Sequence, residues 1–256
     1  MQFDPVMIER LHRAQHVIVF TGAGVSQESG IPTFRDTMTG LWSNFNPEEL
    51  ATPEAFQKQP DIVWGWYEWR RKAVMTSVPN QAHMAIAAIE NKVPKLTLVT
   101  QNVDNLHERA GSTGVIHLHG SLHQPRCTVC GLAHLLPAAV PDVTSGGERI
   151  MPPSCIHCSG RIRPGVVWFG ESLSDDTWSL AKEAVRSCDL MFSIGTSSLV
   201  YPAAVMPFEA VKRGACVIQV NPMPTDLDEV ASYNLRGKAG EIMAALFRAT
   251  WGTHAT

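Results

Sequence analysis

Residues 17–30 read VIVFTGAGVSQESG. The unbroken apolar run Val17–Phe20 has the pattern of a strand buried on both faces, as in a parallel sheet. It runs into Gly22 and Gly24, and a strand that enters a glycine turn opens a nucleotide-binding unit, where glycines let backbone N–H groups approach a pyrophosphate. In the hydride-transfer fingerprint a third glycine would stand at position 27, which here is Gln27. The stretch therefore fits nucleotide binding and disfavours a nicotinamide dehydrogenase. A tight strand-to-helix turn without a ligand is the plain alternative for so short a motif.

Outward from this stretch, apolar runs recur at KLTLVT (95–100), VIHLH (115–119), VVWF (166–169), LMFSIG (190–195) and CVIQVN (216–221). Helical patterns separate most of them: NQAHMAIAAIEN, SDDTWSLAKEAVRS and YPAAVMPFEAVKRG, with PVMIERLHRA opening the chain. This alternation predicts an α/β fold with a Rossmann-like parallel sheet. Two segments break the rhythm. Residues 36–79 are Trp-rich and helical, with Thr52 as an N-cap before Pro53, and residues 121–164 hold paired cysteines among many Pro and Gly. The expected division is a nucleotide-binding domain from 1–35, 80–120 and 165–256, a helical insertion at 36–79 belonging to a smaller lobe, and a metal-binding module at 121–164.

A chain of 256 residues with 45% hydrophobic content suits one large domain with a small satellite. The net charge is −3 and no basic run exceeds Arg70-Arg71-Lys72, so no nucleic acid and no anionic membrane is expected as a partner. The uncharged span Leu190–Phe208 is interrupted by Gly195, Pro202 and Pro207, which fits a strand, a loop and a helix start better than a membrane helix. Acidic residues in the first stretch, where a signal peptide would be basic, point to a cytoplasmic protein.

Six cysteines without a secretion signal argue against a disulfide framework. Four of them form CTVC (Cys127, Cys130) and CIHC (Cys155, Cys158). Two such pairs supply four thiolates at the knuckle spacing of a tetrahedral zinc site, with a redox pair as the rival reading. Four ligands close the shell, which makes the metal structural. His157 competes with Cys158 for the last position, and Cys158 is the expected ligand. Cys188 and Cys216 border apolar runs and are expected in the core.

The strand-end motif HLHG (117–120) offers His119 for base chemistry, although a lone histidine at a strand end is more often structural. TQNVDNLHERAG ends the preceding strand with amides and a carboxylate at the same predicted edge. IGTSS (194–198) and VNP (220–222) also lie at strand ends, where open α/β sheets bind ligands.

Together these blocks resemble the sirtuins, NAD-dependent protein lysine deacylases. GAGVSQESGIPTFR, TQNVDNLHERAG, HLHGS, the two C-x-x-C pairs, RPGVVWFGE, GTSSLVYPAA, QVNP and GKAG run in the family's order over most of the chain. The resemblance implies NAD as cosubstrate, one structural zinc per chain, and a cleft between the two domains. It implies that Gly22, Ala23, Gly24 and Ser26 hold the pyrophosphate region, with Phe34 and Arg35 on a cofactor loop. Gln101, Asn102, Val103 and Asp104 would surround the nicotinamide and its ribose, and Gly195, Thr196, Ser197, Asn221 and Ala239 the adenosine half. His119 matches the general base. In the family's reaction the acyl oxygen attacks the ribose as nicotinamide leaves, and the histidine then takes a proton from a ribose hydroxyl. The acyl-lysine peptide adds as a strand between VVWFGE, with Val167 and Phe169 as contacts, and the loop SSLVYPA. A monomer is expected.

One stretch, WGWYEWRR (64–71), is open between two readings. As an ordinary surface helix it would solvate its arginines and pack Trp66 and Trp69 inward. In the sirtuin setting it carries Tyr67-x-x-Arg70, the pattern of a subgroup whose acyl pocket binds a terminal carboxylate. That implies succinyl or malonyl groups in addition to acetyl, because an Arg fork and a phenol bind a carboxylate strongly. An acetyl-specific deacetylase and a protein mono-ADP-ribosyltransferase are the alternatives. The following DTMTGLW (36–42) departs from the small residues this subgroup tends to carry.

Overall fold

The computed structural model describes residues 1–33, 43 and 45–252. Among them the strands are β1 (Val17–Thr21), β2 (Leu96–Thr100), β3 (Ile116–His117), β4 (Arg126–Cys127), β5 (Ile162–Arg163), β6 (Leu190–Ile194), β7 (Cys216–Val220) and β8 (Tyr233–Leu235). The α-helices are α1 (Pro5–Arg13), α2 (Pro47–Leu50), α3 (Pro53–Lys58), α4 (Pro60–Thr76), α5 (Gln81–Glu90), α6 (Leu106–Arg109), α7 (Asp175–Ser187), α8 (Val205–Lys212) and α9 (Ala239–Trp251).

β1 has all five residues buried, as do β6 and β7, which is why they read as apolar runs without alternation. The main sheet has the order β3-β2-β1-β6-β7-β8, and its pairs are parallel. Strand order reverses between β1 and β6, the topological switch point of a doubly wound sheet. Val17 and Val19 face a core completed by α1, α5 and α9, whereas Ile18 and Phe20 face a core completed by α7 and α8. The period-2 alternation of one strand thus assigns its side chains to two helical layers.

A third core joins the two segments that broke the sequence rhythm. Leu50, Phe56, Trp64, Trp66 and Tyr67 from the helical segment pack with Leu122, Cys127, Cys155 and Ile162 from the cysteine-bearing one. Neither stretch has a full apolar complement alone, and each covers the other. α3 starts where expected: Thr52 Oγ1 accepts the Ala55 N–H at 3.1 Å, with Pro53 at the first helical position.

VVWF was expected to add a strand to the sheet and does not. Val166 makes only an isolated antiparallel bridge with Gly120, and Val166 and Trp168 pack in the third core. An apolar run of four cannot by itself distinguish a central strand from a segment lying against a second core. The strand expected over 115–119 is confined to Ile116–His117, and the helix expected from Tyr201 begins at Val205. β8 escaped detection because Tyr-Asn-Leu at a sheet edge carries no apolar run.

Gly65 shows why a helix keeps a residue that costs about 1 kcal/mol relative to Ala. The backbone of residues 148–150 crosses α4 here, with the Ile150 N–H donating to the Asp61 carbonyl at 3.0 Å. A Cβ at position 65 would lie 2.1 Å from the Glu148 carbonyl oxygen. Gly65→Ala is therefore expected to destabilise by roughly 2–3 kcal/mol despite its better helix propensity. Urea unfolding would check this, and an unchanged or raised midpoint would refute the close-crossing argument.

Candidate active site

The carboxyl ends of β1 and β6 meet through glycine. The Gly22 N–H donates to the Ile194 carbonyl at 3.0 Å and the Gly24 N–H to the Gly195 carbonyl at 2.8 Å. A Cβ on either glycine would come within 2.8 Å of Gly195 atoms, and Gly195 itself has φ +59°. Positions 22 and 24 thus need glycine so that two strand ends can touch. This differs from the expected reason, since both N–H groups are spent on backbone carbonyls. The turn Ala23–Ser29 that follows sends Glu28 to the start of α9, where its carboxylate accepts the Gly240 N–H at 2.6 Å.

Beyond β2 the chain makes an excursion that carries Gln101, Asn102, Val103 and Asp104. Gln101 Nε2 donates to Thr196 Oγ1 at 2.9 Å, linking this loop to the end of β6. Asn102 Nδ2 donates to Ser26 Oγ at 3.2 Å, and Ser26 Oγ donates to Asp104 Oδ2 at 3.0 Å. The Val103 carbonyl accepts the Leu122 N–H. Asp104 also accepts the Leu106 N–H at 3.0 Å, at the start of α6. Burial pushes the Asp104 carboxyl up, against the pull of these hydrogen bonds.

His119 lies at the same edge. Its Nδ1 is 3.0 Å from the Gln101 carbonyl oxygen. A carbonyl only accepts, so Nδ1 carries the proton and Nε2 keeps its lone pair. Burial lowers the His119 pKa, outweighing the Gln101 carbonyl, which raises it. The result at pH 7 is a neutral imidazole of defined tautomer. Ser197 is exposed beside buried Thr196, while Asn221 and Ala239 stand further along, at the end of β7 and the start of α9.

The His119 carbonyl accepts the Val167 N–H at 2.8 Å, which ties segment 165–171 to the strand-end histidine. Arg163 clamps this segment by pairing with Glu171 at 2.5 Å and lying 3.6 Å from the centroid of the Trp168 ring. The N–H groups of Val167, Trp168 and Phe169 bind the His119 carbonyl, the Glu171 carboxylate and the Ala51 carbonyl. Phe169 is 42% exposed.

α4 places the second half of the site. Tyr67 is buried, and its hydroxyl accepts the Trp168 Nε1–H at 3.0 Å. Burial pushes its pKa up to about 12, partly opposed by Arg70, so it remains a phenol with one proton to donate. Arg70 is half-buried as a residue, and its guanidinium lies 5.0 Å from the Trp66 ring centroid. Burial lowers its pKa, and Tyr67 and Asp104 hold its charge. Asp104 thus interacts with both Ser26 and Arg70. Arg71, one residue on, turns away and forms a buried pair with Glu68 at 2.7 Å.

The sulfur atoms of Cys127, Cys130, Cys155 and Cys158 all lie within 4.8 Å of one another. Two of the separations are 3.4 and 3.7 Å, close to the roughly 3.8 Å between thiolates around tetrahedral zinc. The Val129 and His157 N–H groups point at Cys127 and Cys155 Sγ, at 3.3 and 3.4 Å, as in zinc knuckles. The donor set fits zinc, and His157 contributes its backbone rather than its ring. Cys216 is buried in the core, and the half-buried Cys188 thiol is pushed up to about 11 by burial and by Asp189.

A family model described as the Sir2 family matches residues 22–202. The chain belongs to the Sir2 family. It is 55% identical over 249 residues to an NAD-dependent protein deacylase of Methylococcus capsulatus, covering 97% of this chain and 98% of that one. It is also similar to the crystal structure of a Sir2 homolog–NAD complex, with a TM-score of 0.90 and 45% identity over 97% of this chain and 94% of that chain. A more distant Sir2 mutant, solved with a p53 peptide and NAD, shares 27% identity and a TM-score of 0.82 over 97% of this chain and 98% of its own.

In this Sir2-family fold, Gly22, Gly24, Ser26, Gln101, Asn102, Asp104, His119, Gly195 and Thr196 form one connected set at the strand ends. Phe34 and Arg35, and the departing residues 36–42, lie outside the described residues. Sequence reading missed Glu28, Trp168 and Arg163. Nothing in their local pattern marks them, because each acts on a partner outside its own stretch of sequence.

Proposed function

We propose that this cleft binds NAD and an acylated lysine of a protein substrate, and that it removes the acyl group to give nicotinamide, O-acyl-ADP-ribose and free lysine. The carrying observation is His119, with Nδ1 bound to the Gln101 carbonyl and Nε2 without a hydrogen-bond partner among the described residues, at the edge shared by Gln101, Asn102 and Thr196. NAD, when bound, supplies an electrophilic ribose carbon and a leaving group. Around it, residues 22–26 with Ala23, Ser197, Asn221 and Ala239 form the walls of the nucleotide subsite, while His119 Nε2 takes the proton from a ribose hydroxyl. Among the described residues, those of 1–35, 80–120 and 165–256 form the large lobe. Those of 36–79 and 121–164 form the small lobe, which zinc on Cys127, Cys130, Cys155 and Cys158 holds together. Reduced thiols at this centre favour a cytoplasmic setting. Among the described residues no helix is long and apolar enough to cross a membrane.

The acyl groups include succinyl and malonyl beside acetyl. Tyr67 supports this reading: its hydroxyl already accepts from Trp168, so its own proton is left for an acceptor in the pocket, and Arg70 adds charge. Val167 and Phe169 flank the incoming lysine chain.

The test compares kcat/KM for succinyl-lysine and acetyl-lysine forms of one peptide, in the wild type and in Arg70→Met. Desuccinylation is expected to fall roughly 10–100-fold in the variant, the loss of one charge-assisted contact, with deacetylation changed only a few-fold. An unchanged ratio would leave a plain deacetylase with a basic helix. ADP-ribosylated protein in place of deacylated peptide would instead mean transferase chemistry.

A further inference from the structure

Two histidines of HLHG grip successive carbonyls of the same loop, and only one of them is the base. His117 Nδ1 is 3.0 Å from the Asn102 carbonyl oxygen, and its Nε2 is 2.6 Å from Glu108 Oε1. A backbone carbonyl and a carboxylate both only accept hydrogen bonds. A ring that satisfies both must carry a proton on each nitrogen, as an imidazolium.

The placement matters because Asn102 and Glu108 are the two ends of the excursion that presents Asn102, Val103 and Asp104 to the cleft. β3 supplies the ring from outside, where Thr100 and His117 are paired residues of neighbouring strands. We propose that His117 is a positioning residue for the deacylation, an imidazolium that staples Asn102 to Glu108 and so holds the loop in its cofactor-binding shape.

The neighbouring ionisable groups agree with this assignment. Burial works against the His117 charge, but Glu108, the Asn102 carbonyl and Asp104 outweigh it and hold the pKa above 6.5. His107 on α6 and His123 beyond β3 also face this region, and burial keeps both below 6.5, so neither competes for the charge. Arg71 and Arg109 face His123 and help to lower its pKa. For a raised histidine the clamp is complete below pH 6.5 and is lost as pH rises through the folded-state pKa. Activity should then be bounded on the acid side by His119, which must be neutral, and on the alkaline side by His117, which must be charged.

The first measurement is an NMR titration of the His117 ring in the wild type and in Glu108→Gln. The expected result is a wild-type pKa above 6.5 that moves down in the variant, whose amide cannot stabilise the charge. A wild-type value at or below 6.5 overturns the proposal whether or not the enzyme turns over. The second is the pH profile of kcat/KM for NAD. Glu108→Gln should shift the alkaline limb to lower pH, and His117→Gln, which can reach only one acceptor, should abolish that limb and raise KM for NAD. Alkaline limbs superimposable on wild type would also overturn it. The inference rests on the deacylase reading, and a wild type without deacylase activity would refute that reading while the titration still decides the staple.

Discussion

Replacing His119 by Ala is expected to lower kcat/KM for deacylation by about 10²–10⁴-fold, the range typical of a lost general base. The geometry makes the loss specific. Nδ1–H is held by the Gln101 carbonyl, so only Nε2 can take a proton, and no hydroxyl or amide in the connected set can replace it at neutral pH. Departure of nicotinamide precedes the step that needs the base, so exchange of labelled nicotinamide into NAD should survive in His119→Ala. Loss of exchange in parallel with deacylation would indicate a collapsed site rather than a missing base. In the wild type, burial depresses the His119 pKa, and the neutral form is the active one. The acid limb of kcat/KM should therefore lie below pH 6.5, and a limb above that value would contradict the buried, carbonyl-bound ring.

Cys155→Ser is expected to have the largest structural effect. Structural zinc sites contribute on the order of 10 kcal/mol of folding free energy through the metal, and a closed four-thiolate shell loses most of this with one ligand. Cys127 and Cys155 are themselves buried among Trp64, Trp66, Tyr67 and Trp168, so the metal centre and Tyr67 share one core. Bound zinc should drop well below one per chain, tryptophan emission should shift to the red, and deacylation should be lost. The parallel sheet has its own two cores and should keep its far-ultraviolet signal. A variant that keeps both its zinc and its activity would show that the fourth thiolate is dispensable. Cobalt substitution should leave kcat nearly unchanged, because a closed shell offers no position to substrate.

Much of this was legible before any coordinates, for reasons that differ from residue to residue. Val17–Phe20, Leu190–Ile194 and Cys216–Val220 are buried on both faces, so their apolar runs announce central parallel strands. The two C-x-x-C pairs announce a metal because knuckle spacing is a local property. The order of GAGVSQESG, TQNVDN, HLHG and GTSS marked the family, which the match over residues 22–202 then showed. VVWF was misread as a sheet strand for a complementary reason. Burial is visible in a sequence, but the core against which a residue is buried is not.

The amino-acid sequence by itself determined the α/β class, the four metal-binding thiols, the family and the candidate base. It did so because periodicity and short spacings express forces acting within a few residues. Only the tertiary structure decided that Gly22 and Gly24 are required by contact with Gly195, and that Gly65 yields to a crossing chain at Glu148. It also decided that Trp168 orients the Tyr67 hydroxyl and that His117 bridges Asn102 and Glu108. These arrangements depend on the register between segments up to about a hundred or more residues apart, as between Tyr67 and Trp168, at a sequence separation of 101. Hydrogen-bond partners and close approaches at that range are set by how the cores pack, and no local pattern encodes them.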